Sequence, residues 1–260
     1  MDGVDEIRFI FWEAMKVLAL VLLALLCAKA IGRLHNGQAS ERFRRLVIVR
    51  GFLYSILLAL VSIGALAIGH DVAAELYYTA SQENLEHSQL TQAYNNASHA
   101  VRLRPGVLRY WQMLAATKLL QHQFRSVLND QEALRSLGGG RLEEPDALRC
   151  AWAHFFLGEY EQVIPATKEL IRNNRYYAAP YVLQGDTFLA LKRYSDAERS
   201  FLDVLQIFPS QEGGVEGLAH TYFLTGDTGR ALAVLDETAH HPFPPEARKR
   251  FASLKALYAQ

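Results

Sequence analysis

Residues 178–211 read AAPYVLQGDTFLALKRYSDAERSFLDVLQIFPSQ. The stretch places a large residue at Tyr181, a small one at Gly185 and an aromatic at Phe188. It then places Tyr194, Ala197 and Phe201, and ends near Pro209. Working outward, Gly158-Glu159-Tyr160, Lys192-Arg193-Tyr194 and Gly226-Asp227-Thr228 follow one another at 34-residue steps. The same step links Ala151, Gly185 and Ala219, then His154, Phe188 and Tyr222, then Val163, Ala197 and Ala231. Self-similarity at a period of this length is the mark of stacked structural units.

A 34-residue period with two helices per unit resembles the tetratricopeptide repeat, whose pattern is large, Leu, small, aromatic in the first helix and small, aromatic, Pro in the second. The resemblance covers units 74–107, 108–141, 144–177, 178–211 and 212–243, most closely from 144 onward. Unit 212–243 keeps Val215, Leu218, Ala219, Tyr222, Gly226 and Ala231, and unit 144–177 keeps Ala151, Gly158 and Tyr160. Unit 74–107 has Tyr77, Ala93, Ala97, Ala100 and Pro105; unit 108–141 has Trp111, Leu114, Ala115 and Phe124, and its helix runs into Gly138-Gly139-Gly140. Departures from the pattern are Ser81 and Asn84 in the first unit, and Thr167 and Arg175 in the third. Small residues let the two helices of a unit approach, and Phe188, Phe201 and Tyr222 fill the space between units. No unit buries its apolar face alone, so several must stack and the last needs a polar-faced cap. Segment 245–260 supplies one, with Phe251, Leu254, Leu257 and Tyr258 on one stripe.

The N-terminal part of the 260-residue chain is different. Gly51–His70 reads GFLYSILLALVSIGALAIGH, without Asp, Glu, Lys or Arg. About 20 such residues cover the ~30 Å hydrocarbon core of a bilayer. A first span is expected over residues 9–31, around the apolar centre Val17–Ala28. Glu13 and Lys16 lie three residues apart there and can pair on one helix face. Phe9, Phe11 and Trp12 resemble an interfacial aromatic belt. A cleaved signal peptide ending near Ala28-Lys29-Ala30 is the alternative. It would leave an Arg-rich segment to cross ahead of Gly51, which favours an uncleaved helix. Between the spans, loop 33–50 holds Arg33, Arg42, Arg44, Arg45 and Arg50 against one acid, Glu41. The positive-inside rule puts that loop in the cytoplasm and both termini outside. The expected fold is therefore all-α: a two-helix transmembrane hairpin over 1–70, then a solenoid of about five helix pairs and a cap over 71–260.

Composition excludes other classes. The chain is 50% hydrophobic, too apolar for disorder, and its 27 basic residues balance 27 acidic ones, leaving no basic footprint for nucleic acid. Cys27 and Cys150 form neither a disulfide framework nor a zinc spacing. No nucleophile elbow, phosphate loop, HExxH or dinucleotide fingerprint is present, so no enzyme activity, cofactor or metal is expected. His240-His241 has no partner at ligand spacing and reads as a solvent loop, and Cys150 as a small core residue.

What remains is a surface. The resemblance implies that the first helices line a concave groove that takes extended peptides or partner helices. Its inward positions carry over to Tyr78, Leu119, Leu120, Trp152, Phe155, Phe156, Asp186, Leu189, His220 and Phe223. The middle of this groove is apolar and aromatic and lacks a Lys/Arg clamp. Trp152, Phe155 and Phe156 are read either as contact residues or as superhelix core. The functional expectation is a non-catalytic scaffold or assembly subunit of a larger membrane complex, with protein partners, in a bacterial inner membrane and facing the periplasm. The alternative is a regulatory or substrate-binding module of a polysaccharide export or ligation system in the cell envelope.

Overall fold

The computed structural model describes residues 41–259, all helix and turn. The expected first span, with Glu13, Lys16 and Arg33, lies outside the described residues. The chain divides between Tyr77 and Tyr78 into two units.

The first unit holds most of helix α1, Glu41–Glu86. It corrects two expected boundaries. Residues 41–50, expected in a loop, are already helical, and the helix runs on past His70 without interruption. No Gly or Pro occurs between His70 and Glu86 to stop it, and Ala, Glu and Leu favour continuation. Leu53, Tyr54, Ile56, Leu57, Leu60, Val61, Ile63 and Ile68 are all exposed. The helix is long and apolar enough to cross a membrane, and its most apolar 18-residue window is not buried at all. A soluble core helix of this composition would be covered.

The second unit is a succession of helix pairs: α2 (Leu90–Leu103), α3 (Leu108–Leu120), α4 (Phe124–Asn129), α5 (Gln131–Leu137), α6 (Glu144–Phe156), α7 (Tyr160–Asn173), α8 (Ala178–Ala190), α9 (Tyr194–Ile207), α10 (Glu212–Leu224) and α11 (Thr228–Glu237). A 3-10 turn, Thr238–His240, leads to α12, Pro245–Tyr258. Each first helix ends in the same device. Ser88, His122, Gly158, Lys192 and Gly226 all have positive φ. The next residue in each case donates its N–H to a carbonyl of the last helical turn, as Arg193 does to Phe188 O at 2.8 Å and Asp227 to Tyr222 O at 2.9 Å. This is the Schellman turn, which closes a helix and satisfies its last carbonyls. Its recurrence sets the fold's period more sharply than any side-chain pattern does.

The core follows the same register. Ala93, Val127, Val163, Ala197 and Ala231 occupy one position of the second helices and are all fully buried. Ala115, Ala151, Gly185 and Ala219 occupy the close-approach position of the first helices and are buried too. Ser81 stands at that position in the first repeat. It is fully buried and its Oγ donates to Ala93 O at 2.7 Å, so this departure from the pattern still serves as the small residue. Thr167 replaces an aromatic and is fully buried. It accepts a hydrogen bond from Gln184 Nε2 at 3.2 Å, and Ser200 Oγ donates to Gln184 Oε1 at 3.4 Å. All three side chains are buried and mutually satisfied. The second helix of unit 108–141, expected as one piece, is broken at Asp130 into α4 and α5. Asp130 pairs there with Lys118, which occupies a position filled by Phe188 and Tyr222 in later repeats. The deviation before the Gly138–Gly140 run is thus an ion pair at a position where the later repeats carry a ring, His154, Phe188 and Tyr222.

Candidate partner-binding groove

The first helices place the expected groove residues in four different situations. At the centre is a ladder of aromatic rings. Phe124, opening α4, stacks on Phe156 at 4.7 Å between centroids, and Phe156 stacks on Trp152 at 5.6 Å. Phe155 meets both Trp152 and Phe156 edge-on at 5.6 Å and continues to Tyr160 at 5.7 Å. Trp152 and Phe156 lie four residues apart on α6 and so share a face. The ladder has two sides. Trp152 and Phe155 are half-buried against the cluster of Leu148, Ala151, Val163 and Leu170. Phe156 is 52% exposed, and Leu120 beside the preceding turn is 50% exposed. The two readings of this trio therefore divide by residue: Trp152 and Phe155 pack against the core, while Phe156 leaves about half its surface open to solvent.

At one end of the groove, Tyr78 packs on Tyr110 with centroids 5.4 Å apart, and the Arg109 guanidinium lies over both rings. Leu119 is half-buried. At the other end the chain covers its own surface. Tyr258 of α12 stacks on Phe223 at 4.2 Å and its hydroxyl lies 3.1 Å from His220 Nδ1. Partial burial there pushes the His220 imidazole below its usual value. Leu189 packs against the C-terminal core.

Asp186 stands apart. It is half-buried, and desolvation followed by repulsion from Glu216 pushes its carboxyl up to about 6. Several other carboxylates have hydrogen-bond partners. Gln112 Nε2 bridges Glu143 and Asp146 at 2.8 and 2.9 Å. Glu159 accepts from His154 at 2.7 Å and from Arg125 at 2.9 Å, which together hold it below the usual carboxylate range. Burial, reinforced by Asp146, pushes the Cys150 thiol up to about 11 and leaves it a packing residue. His240 and His241 are exposed. Among the described residues no three His, Cys, Asp or Glu side chains gather to hold a metal.

Phe124 and Tyr160 belong to the ladder although they stand outside the groove positions assigned from sequence. They share a register: Phe124, Tyr160 and Tyr194 each follow the positive-φ residue of a Schellman turn by two positions.

No protein-family profile matches the sequence, and no curated protein does. Solved structures share the fold. TTC0263, a thermophilic TPR protein of Thermus thermophilus, superimposes with a TM-score of 0.58 at 20% identity, over 70% of this chain and 98% of that one. PilF of Pseudomonas aeruginosa gives 0.55 at 15% identity, over 73% and 90%. MamA of Desulfovibrio magneticus RS-1 gives 0.55 at 12% identity, over 65% and 94%. The repeat region is thus a TPR-like α-solenoid.

Proposed function

We propose that the protein is a membrane-anchored, non-catalytic interaction scaffold whose solenoid takes a segment of a partner protein. The observation that carries this reading is Phe156: a stacked aromatic with half its surface open, on a first helix, flanked by Trp152 and Phe124. Open apolar surface of this kind marks contact sites, and aromatic anchors dominate interface energies at about 2 kcal/mol or more each. The bare apolar face of α1 supports anchorage in a bilayer. In this reading the Arg-rich segment lies in the cytoplasm and the solenoid outside it, in the periplasm of a bacterial inner membrane. The partners are then other membrane or periplasmic proteins.

The test is a comparison between variants extracted in mild detergent. Phe156→Ser should release proteins that co-purify with the wild type while its helical circular dichroism stays unchanged. Trp152→Ser should release them too but also lower the melting temperature, because Trp152 is part of the packed cluster. Retention of every co-purifying protein by Phe156→Ser would refute the assignment of the groove.

A further inference from the structure

Helices α8 and α10 present Asp186, Glu212 and Glu216 and contain no Lys or Arg. The cation for the α10 pair comes from the chain's own tail. Arg250 of α12 donates through Nε to Glu216 at 2.8 Å and through Nη2 to Glu212. Two turns further along α12, Tyr258 lays its ring on Phe223. The tail thus shows how a first helix of this solenoid receives another helix: a guanidinium between carboxylates and an aromatic ring on an aromatic ring.

The preceding surface offers the same pair of features without an occupant. Asp186 follows Trp152 by 34 residues, at the same position on the neighbouring first helix, so it adjoins the aromatic ladder. Among the described residues no cation and no hydrogen-bond donor reaches its carboxyl, and the charged group facing it is Glu216, already engaged by Arg250. A half-buried carboxylate without a partner lowers stability. Its presence beside an open apolar surface is accounted for by a cation that arrives with a ligand.

We propose that the surface formed by α6 and α8 binds a helical segment of a partner protein that carries Lys or Arg for Asp186 and an aromatic or aliphatic side chain for the Trp152–Phe156 stack. This rests on the reading of the groove as a docking surface and adds the charge and helical form of what docks. The tetratricopeptide groove is thereby used with an acidic rather than a basic receiving group.

The experiment uses the full chain in detergent micelles and three fluorescent helical peptides. They share one Leu/Phe stripe and differ in one residue, Arg, Gln or Glu, placed two turns before a Phe. Fluorescence anisotropy should rank them Arg, Gln, Glu, with about tenfold between Arg and Gln, as expected for one charge-assisted contact. Asp186→Asn should bring the three peptides to one affinity. Phe156→Ser should weaken all three alike. An Arg preference that survives Asp186→Asn overturns the cation site while leaving the docking surface in place. Failure of Phe156→Ser to weaken any peptide, or no binding to the wild type, overturns both. Displacement of the Arg peptide by a peptide of residues 33–50, at lower concentration, would instead assign the site to the chain's own Arg-rich segment and overturn the partner.

Discussion

The ring of Phe201 lies where a side chain on Gly185 would have to be. A Cβ added to Gly185 would come within 2.5 Å of Phe201 Cε1 and Cζ, and one added to Gly217 would come closer still to the same ring. Phe201 on α9 is fully buried between α8 and α10, so it joins one repeat to the next. Gly185→Leu should therefore be among the most damaging single changes in the solenoid. Overpacking of this kind costs about 1–3 kcal/mol where the neighbours can shift, and more where they cannot. In a stack stabilised by nearest neighbours the loss should spread to the flanking repeats. Gly217→Ala should lower the melting temperature measurably although it adds only a methyl group. Phe201→Leu should restore part of that loss when the two are combined. An unchanged melt for either glycine variant would place Phe201 elsewhere.

The recurring turn makes a prediction with opposite signs at equivalent positions. Lys192 has φ 57° and Gly226 has φ 81°, 34 residues later. A side chain with a Cβ is strained there, and glycine is not. Lys192→Gly should leave stability unchanged or raise it by up to about 1 kcal/mol. Gly226→Ala should lower it by about 1 kcal/mol. Thermal unfolding of the two variants under one buffer condition checks both.

Asp186 should make the solenoid more stable in mild acid than at neutral pH. Its folded value, about 6, stands above the roughly 3.9 of a free aspartate. The folded state therefore binds the proton more tightly than the unfolded state. That contribution is fully present below about pH 4 and is lost as the pH rises through about 6. Asp186→Asn carries no charge at any pH. It should raise stability at pH 7.5 by roughly 1–3 kcal/mol, and the gain should vanish near pH 4. A variant that is more stable yet has lost its preference for a basic peptide would show a trade of stability for binding at this position. Equal stability of variant and wild type at both pH values would refute the burial argument.

The sequence carried the repeat because its packing positions are filled by residue types that recur. Gly185, Ala151 and Ala219 could be aligned for that reason, and their burial follows. The period itself was less visible where a turn uses Ser88, His122 or Lys192, since a left-handed residue other than glycine leaves no compositional mark. Gly217 carries no mark in the repeat pattern because its need for a bare backbone comes from Phe201, which lies in another repeat. The polar trio of Thr167, Gln184 and Ser200 is likewise a three-helix arrangement that no local pattern announces. Within the groove, Trp152, Phe155 and Phe156 were legible as a cluster, but which of them faces solvent depends on how α4 and α7 pack around α6. The occupation of His220 and Phe223 by Tyr258 depends on where the last helix docks, which an amphipathic stripe does not specify.

Residues 51–70, the segment proposed to cross the bilayer, have basic residues before them and acidic ones after them. Arg42, Arg44, Arg45 and Arg50 precede the span, whereas Asp71, Glu75, Glu83 and Glu86 follow it, with no Lys or Arg before Arg102. Orientation responds to basic residues close to the ends of a span, and acids contribute little. The Arg cluster alone should therefore hold the segment before Gly51 on the cytoplasmic side. An alkaline phosphatase reporter fused after Gln260 should be active, and a fluorescent reporter that matures only in the cytoplasm should be dark. Replacing Arg42, Arg44, Arg45 and Arg50 with Gln should produce a mixed population in which both reporters give signal. Neutralising the four acids after the span should change neither. A fusion at Gln260 that reports only from the cytoplasm would reverse the orientation. The aromatic ladder and Asp186 would then face cytoplasmic partners, with the groove chemistry unaltered.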